Sequence, residues 1–143
     1  MPKVLRNILA VIAGIVIGSA ANMALIMAGP SFIAPPVGVD MSNADGLKAG
    51  MHLLEPRHFA VPLLAHALGT LVGAMAAYLI VASHKASFAF AIGVVFLAGG
   101  IAASFMIPAP AWFIALDLPA AYLPMAWLAT RIGARMGRAD AHA

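Results

Sequence analysis

The residues of this sequence that could carry out chemistry are concentrated in one stretch, MHLLEPRHFAVPLLAH, at positions 51–66. It holds three of the five histidines, together with Glu55 and Arg57, in a chain of which only 9% of the residues are charged. Imidazoles and carboxylates can bind a metal, exchange protons or hold a polar solute. Cysteine is absent from the chain, which excludes thiolate ligands and thiol nucleophiles.

Coordination of a divalent metal is the first possible role of these residues. His52 and Glu55 would share one face of a helix, and His58 would follow across a turn at Pro56. The spacing is not that of the HExxH zinc motif, however, and Pro56 interrupts the helix. Solvated residues at a membrane surface explain the pattern equally well, with Arg57 paired to Glu55 or bound to a lipid phosphate. We therefore predict no metal and no cofactor, and we interpret His52, Glu55, Arg57 and His58 as an outer rim.

The composition predicts a membrane protein. The 143 residues are 64% hydrophobic, with a mean hydropathy of +1.00, whereas soluble domains are about half apolar and a quarter charged. Four apolar stretches each approach the ~20 residues that a helix needs to cross a bilayer. They are residues 4–28, 59–82, 87–107 and 112–132. We expect residues 1–143 to form a single all-α domain, a bundle of four transmembrane helices.

The basic residues follow a pattern that indicates topology. The loop 29–58 contains only two basic residues, Lys48 and Arg57. The span ends on the other side of the membrane carry six, namely Lys3, Arg6, Lys85, Arg131, Arg135 and Arg138. The positive-inside rule therefore predicts cytoplasmic termini and an outward-facing loop. The formal net charge of +3 reflects orientation and contact with anionic lipids of the bilayer, and we expect no nucleic-acid partner.

The outer loop 29–58 divides into two parts. Its first part contains prolines that forbid a continued helix, namely Pro30, Pro35 and Pro36. Ser42 followed by Asp45 then resembles a capping box. Apolar residues recur at helical spacing before Pro56, and these are Leu47, Met51 and Leu54. This pattern predicts a short amphipathic helix on the membrane surface or folded over the bundle; the alternative is an irregular loop with chance periodicity.

Small residues recur at four-residue spacing in every span. The stripes are Ala10, Gly14 and Gly18; Ala65, Gly69, Gly73 and Ala77; Gly99 and Ala103; and Gly133 and Gly137. Helices in lipid associate largely through close packing, which small residues permit. Spacing leaves open whether these stripes join helices within one chain or between chains. We expect a homo-oligomer or contacts with membrane partner proteins.

A second set of polar residues lies at a similar depth below the outer membrane surface. With a rise of about 1.5 Å per residue, Asn22 lies roughly 9 Å below the outer end of its span and His66 roughly 12 Å below the start of the next. By the same rise, Asp117 lies roughly 8 to 9 Å into the fourth span. Ser104, near the outer end of the third span, falls in the same layer. The sequence therefore predicts a polar layer in the outer half of the membrane.

Two of these residues have alternative interpretations. Asp117 either caps a helix that begins just after it, with Pro119 in the first turn and Pro124 kinking the remainder of that helix, or faces the bundle interior. His66 has only apolar neighbours in sequence. It either donates one hydrogen bond to another helix or takes part in proton transfer.

Three segments carry a resemblance to a known family. They are VDMSNADGLKAGMHLLEP at 39–56, HFAVPLLAHALGTLVGA at 58–74 and IPAPAWFIALDLPAAYLPMAW at 107–127. In them the chain resembles an uncharacterised family of small four-helix bacterial integral membrane proteins, and the resemblance extends over nearly the whole length. It implies a four-helix topology in a bacterial inner membrane, and it implies no activity.

Two functional hypotheses are consistent with these patterns. The first is an outward-facing pocket of Asn22, His66, Ser104 and Asp117 that binds or translocates a small solute or a proton, with His66 and Asp117 exchanging the proton. The second is a structural or accessory subunit of a larger membrane complex, docked through its small-residue stripes. A membrane-embedded metal enzyme ranks third because the sequence contains no recognised catalytic spacing. We therefore assign no catalytic residue.

Overall fold

Four helical spans make up most of the chain in the computed structural model, which describes residues 1–140. The helices are α1 (Lys3–Phe32), α2 (Ala44–Gly50), α3 (Ala60–Ile80), α4 (Lys85–Met106), α5 (Ala111–Ala120) and α6 (Leu123–Asp140). Two short 3-10 turns, Met51–Leu53 and Pro56–Phe59, join α2 to α3. Residues 141–143 and the side chain of Arg138 in the predicted basic tail lie outside the described part.

The predicted fold class is confirmed. Four segments are long and apolar enough to cross a membrane. They are α1, α3, α4, and the pair α5 and α6 taken together. The outer surface of these segments carries large apolar side chains, as contact with lipid requires. Examples are Ile12, Val16, Met27, Val94 and Phe105. The chain is an all-α, multi-pass membrane protein with a short amphipathic helix in the loop between α1 and α3.

Helix α3 lies at the centre of the bundle. Helices α1, α4 and α6 all pack against it, whereas α1 and α4 barely touch each other. A core of small and branched residues fills the half of the bundle remote from α2, and its members are Ala74, Ala77, Ala89, Ile92, Ala126 and Ala129. The outer half has no such filling between α1 and α4, and this difference leaves room for a site there.

The glycine stripes of α1 and α3 face each other. A Cβ atom added to Gly73 would lie 2.5 Å from the carbonyl oxygen of Gly14, and one added to Gly18 would lie 2.7 Å from that of Gly69. Only glycine allows the two backbones to approach so closely. These stripes therefore join helices within one chain, which the spacing alone left open. A Cβ at Gly99 would meet nothing within 4 Å.

The basic end of the bundle is held together by two contacts between α1 and the turn after α3. The Arg6 side chain donates a hydrogen bond to the carbonyl of Ile80, and the Asn7 side-chain oxygen accepts one from the backbone N–H of Ala82 at 3.0 Å. Lys85, at the start of α4, lies over the ring of Tyr78. The basic residues of these segments thus share one end, as predicted.

Two predictions about the outer loop are wrong. Helix α1 does not stop before Pro30 but continues to Phe32. Proline removes one helical hydrogen bond, and neighbouring helices make this tolerable within a membrane bundle; here the adjacent Gly29 is buried against Val61. The cap of α2 is also not Ser42.

Asn43 caps α2 instead. Its side-chain oxygen accepts a hydrogen bond from the backbone N–H of Gly46 at 2.7 Å. Ser42 does not cap α2 because its hydroxyl donates a hydrogen bond to Oδ1 of Asp40 at 2.6 Å. Its backbone N–H donates to the same Oδ1 atom at 2.8 Å. Asn43 donates to the other oxygen of Asp40 at 2.7 Å. Asp40 thereby organises the start of α2.

This arrangement predicts acid sensitivity of α2. The hydrogen bonds from the Ser42 hydroxyl and backbone, with a smaller contribution from Asn43, hold the pKa of Asp40 below its usual value. A depressed pKa contributes stability above the unfolded value, near ~3.9, that is lost as the pH falls through the folded pKa. We expect amide exchange in residues 44–50, corrected for its intrinsic pH dependence, to accelerate on acidification below that value.

Asp40→Ala should remove this acid dependence, because the variant lacks the hydrogen bonds of Asp40 at every pH. Its α2 amides should therefore already exchange faster at neutral pH. Asp45→Ala is the matched control, since Asp45 is exposed and only 4.0 Å from Lys48 in a weak ion pair. Equal pH profiles in the two variants would contradict the role given to Asp40.

Candidate functional site

A histidine and an aspartate meet in the outer half of the bundle. His66 lies two turns into α3, and Asp117 lies in the second half of α5. Nδ1 of His66 is 2.9 Å from both carboxylate oxygens of Asp117. The Asp117 residue is only 4% exposed. The two residues that depth placed in one layer are therefore in direct contact.

The capping interpretation of Asp117 is wrong. Helix α5 begins at Ala111, so Asp117 lies inside it and its backbone carbonyl accepts a hydrogen bond from the N–H of Ala121 at 2.9 Å. The helix breaks after Asp117, between Ala120 and Leu123, where Pro124 cannot supply the N–H that would continue the ladder. The carboxylate therefore points into the bundle, where its partners are side chains.

Tyr122, at this break, is the third member of the cluster. Its hydroxyl donates to Asp117 Oδ2 at 3.2 Å, and its ring stacks on that of His66 with centroids 6.0 Å apart. Only 3% of Tyr122 is exposed. Tyr122 was not among the site residues predicted from the sequence. The available signal was a pair of prolines, Pro119 and Pro124, flanking a tyrosine five residues after the acid.

The proton positions of the cluster follow from the charge of Asp117. The carboxylate form only accepts hydrogen bonds, so with Asp117 in that form Nδ1 of His66 carries a hydrogen and donates it to Asp117. In the neutral imidazole, Nε2 is then an acceptor. The hydroxyl of Thr70 donates to the backbone carbonyl of His66 at 2.8 Å and so does not compete for the ring. Nε2 is left as the reactive atom of His66.

Two clefts meet at His66. The first, which we call the polar cleft, has a volume of about 230 Å³ and lies between α1, α3 and α4. Its walls include Ser19, Asn22, His66, Thr70, Gly99 and Tyr122. The side-chain oxygen of Asn22 is buried there and accepts no hydrogen bond from the described residues. Asn22, a lining residue of the polar cleft, thus carries a buried acceptor with no partner among the described residues.

The second, which we call the apolar cleft, has a volume of about 220 Å³ and lies beneath α2. Its walls include Leu47, Met51, His58, His66, Phe113 and Asp117. The apolar face predicted for α2 is thus turned towards the bundle and covers the cleft. His66 lines both clefts, so its imidazole stands at their junction.

Ser104 makes no hydrogen bond to the cluster of His66, Asp117 and Tyr122. It lines the apolar cleft, and its hydroxyl donates to the carbonyl of Ile101 on its own helix at 2.7 Å. Asn22 lines the polar cleft only. The four residues predicted for one pocket are therefore divided between two clefts, with His66 common to both.

The predicted outer rim is also divided. His52, Glu55 and Arg57 are exposed and line neither cleft. Arg57 pairs with Glu55 at 3.0 Å, one of the interactions that the sequence suggested. His58 differs from the rim prediction because it is 5% exposed and lines the apolar cleft.

The candidate metal ligands do not converge. His52 is exposed while His58 is buried, and the Glu55 carboxylate is paired with Arg57. Among the side chains that the structure describes, those of residues 1–137, no group of three or more histidine, aspartate or glutamate residues is arranged to hold a metal ion.

Comparison of the chain with protein-family models, with curated proteins and with solved structures gives no match. Function is therefore argued from the cluster and the two clefts.

Proposed function

We propose that this protein binds a small solute in the outer half of the membrane and exchanges a proton with it, or with water, through His66. One observation carries the proposal: Nδ1 of His66 lies 2.9 Å from both oxygens of Asp117 at the place where the two clefts meet. Intramembrane ionisable residues usually serve such exchange because their burial is costly.

The chemistry requires only one proton and one nitrogen. Asp117 orients the imidazole through Nδ1–H, and Nε2 makes no hydrogen bond to any described residue. Protonation at Nε2 converts the anionic pair into an imidazolium–carboxylate ion pair with no net charge. Release of the proton to a bound solute or to water restores the starting state. Tyr122 steadies the carboxylate by donating to Oδ2.

The direction of access in this proposal is outward. The clefts lie at the end opposite Lys3, Arg6 and Lys85, and the positive-inside rule assigns the basic end to the cytoplasm. In a bacterial inner membrane, which the family resemblance implies, the clefts would face away from the cytoplasm. The alanine-rich core around Ala74 and Ala77 fills the inner half. Binding from the outer side is therefore favoured over an open pore.

Infrared difference spectroscopy tests the exchange directly. Purified protein in lipid membranes is taken through a pH change, and the spectra of two pHs are subtracted. We expect bands of one imidazole that becomes imidazolium and of one carboxylate whose stretching frequencies shift with it in the wild type. Both should be lost or displaced in Asp117→Asn and in His66→Gln, because each variant removes one half of the pair.

His52→Gln is the matched control, since it removes an exposed histidine at the same end of the protein. It should retain the Asp117 band. Spectra in which Asp117→Asn and wild type are identical would overturn proton exchange at this pair. The alternative of a structural or accessory subunit would then be preferred, although the stripes of α1 and α3 are already occupied within the chain.

A further inference from the structure

His58 is a buried polar side chain that the proposed exchange does not use. It lines the apolar cleft, it is 5% exposed, and its Nε2 atom is buried with no hydrogen-bond partner among the described residues. A buried polar atom that makes no hydrogen bond destabilises the folded state. In a protein of ordinary stability such a group is normally paired, so its partner is sought in the cleft.

The tautomer of His58 follows from its second nitrogen. Nδ1 lies 2.9 Å from the backbone N–H of Glu55 and accepts its hydrogen. The carbonyl of Glu55 is 3.2 Å from the same atom but already accepts the backbone N–H of His58 at 2.9 Å. Nδ1 of the neutral ring is therefore the acceptor, and Nε2 carries the hydrogen. His58, in the wall of the cleft, thus carries a fixed and buried N–H donor that has no partner among the described residues.

The other walls of the apolar cleft favour a ligand that is mostly hydrophobic. Its walls are mostly hydrophobic and include Ile26, Leu47, Leu54, Phe59, Phe113 and Leu118. The volume, about 220 Å³, exceeds the ~150 Å³ of an engineered apolar cavity that holds benzene. A single alkyl chain of medium length fits this space better than a phospholipid with two long chains.

The position of the donor sets the orientation of the occupant. His58 precedes His66 by eight residues, so the two lie about 12 Å apart along the axis at a helical rise of about 1.5 Å per residue. A polar group bound at His58 would lie near the outer surface, away from the Asp117 carboxylate, where lipid headgroups also lie. Its alkyl chain would extend towards His66.

From these observations we propose that the apolar cleft binds a single-chain amphiphile whose head group, a carboxylate or an ester carbonyl, accepts a hydrogen bond from Nε2–H of His58. This inference rests on the proposed function for the location of the site and adds the chemical class of the bound solute. Because the head group lies about 12 Å from His66, the proton exchanged at His66 passes to water and not to this solute. Both head groups present the same acceptor oxygen, and the experiment distinguishes them.

Trp112 provides a built-in reporter. Its ring lies 5.4 Å from that of Phe59 and 5.9 Å from that of Phe113, both of which line the cleft. The chain has two tryptophans, so Trp127→Phe leaves Trp112 as the single emitter. In this background, the full-length protein in amphipol is titrated with bromodecanoate, its methyl ester and bromodecylamine. The first two carry acceptor oxygens, whereas the ammonium group of the third only donates.

We expect saturable quenching of Trp112 by bromodecanoate, by its ester or by both, and only linear, unsaturated quenching by the amine. Saturation by the acid alone assigns a carboxylate head group, and saturation by the ester assigns a carbonyl. An amine that saturates with equal affinity would overturn the inference.

Two substitutions at His58 separate binding from folding. In His58→Asn the side-chain oxygen takes the place of Nδ1 and keeps the hydrogen bond to Glu55, while the donor at Nε2 is lost. We expect about tenfold weaker binding, the effect of one hydrogen bond. In His58→Gln the amide N–H replaces the donor and the contact with Glu55 is lost, so affinity should exceed that of His58→Asn. His52→Asn is the exposed control and should bind as the wild type does.

Wild-type affinity in a folded His58→Asn variant would overturn the inference. So would the absence of saturable quenching by both acceptor probes. If the infrared exchange at Asp117 persists in that case, only the assignment of the solute fails. If the exchange is also absent, the proposed function fails with it.

Discussion

Gly73→Ala is expected to destabilise the protein by about 2–3 kcal/mol, the upper part of the range for an overpacked interior. The added methyl would lie 2.5 Å from the Gly14 carbonyl oxygen and 3.1 Å from the Cα of Gly18. Both neighbours are backbone atoms, so relief requires α1 to move away from α3. Because α1 packs almost entirely on α3, this movement would loosen its attachment to the bundle. Reversible unfolding in mixed micelles, followed by circular dichroism, measures the change.

Gly99→Ala is the matched control. It makes the same chemical change in the middle of a span, but a Cβ there meets nothing within 4 Å. Alanine also has the better intrinsic helix propensity, so Gly99→Ala should be neutral or slightly stabilising. Equal stability of the two variants would show that α1 and α3 do not pack through these glycines.

The second large effect is expected at the His66–Asp117 pair. Nδ1–H of the neutral His66 donates to a carboxylate, and a hydrogen bond to a charged group contributes about 1.5–3 kcal/mol. We expect Asp117→Leu to lie towards the lower end, since a quarter of the His66 side chain is exposed and water can solvate it. His66→Leu should lie towards the upper end, because it leaves the nearly buried Asp117 with Tyr122 alone.

The double variant His66→Leu/Asp117→Leu separates structure from function. It removes both members of the pair and fills the space with apolar side chains, so its loss of stability should be smaller than the sum of the two single losses by about 1–3 kcal/mol. The same unfolding measurement supplies the cycle. The double variant should remain folded yet show no pH-dependent infrared bands of the pair. Strictly additive losses would contradict a direct interaction.

Tyr122→Phe gives a reference value for the loss of a single hydrogen bond to Asp117, against which the losses in the His66–Asp117 variants can be compared. It removes one hydrogen bond of 3.2 Å and leaves the ring stacked on His66. A loss of about 1 kcal/mol is expected, as for an ordinary hydrogen bond. The pair of His66 and Asp117 should still exchange its proton in this variant, because Tyr122 orients the carboxylate without touching the reactive Nε2.

The sequence by itself determined the class of the protein and the depth of its polar residues. Hydropathy is a local property, and a helix rises by about 1.5 Å per residue, so the spans could be located and His66 and Asp117 placed in one layer. Spacing likewise located the glycine stripes. The apolar face of α2 was also recognisable, because amphipathic periodicity needs only neighbouring residues.

Only the tertiary structure decided which groups touch. The contact between His66 and Asp117 depends on how far α3 and α5 are rotated about their axes, and that rotation is set by packing against other helices. The inward turn of Tyr122 depends on where the fourth span breaks. The burial of His58 depends on α2 folding over the bundle. Depth follows from the chain itself, whereas the direction in which a side chain points is fixed by its neighbours.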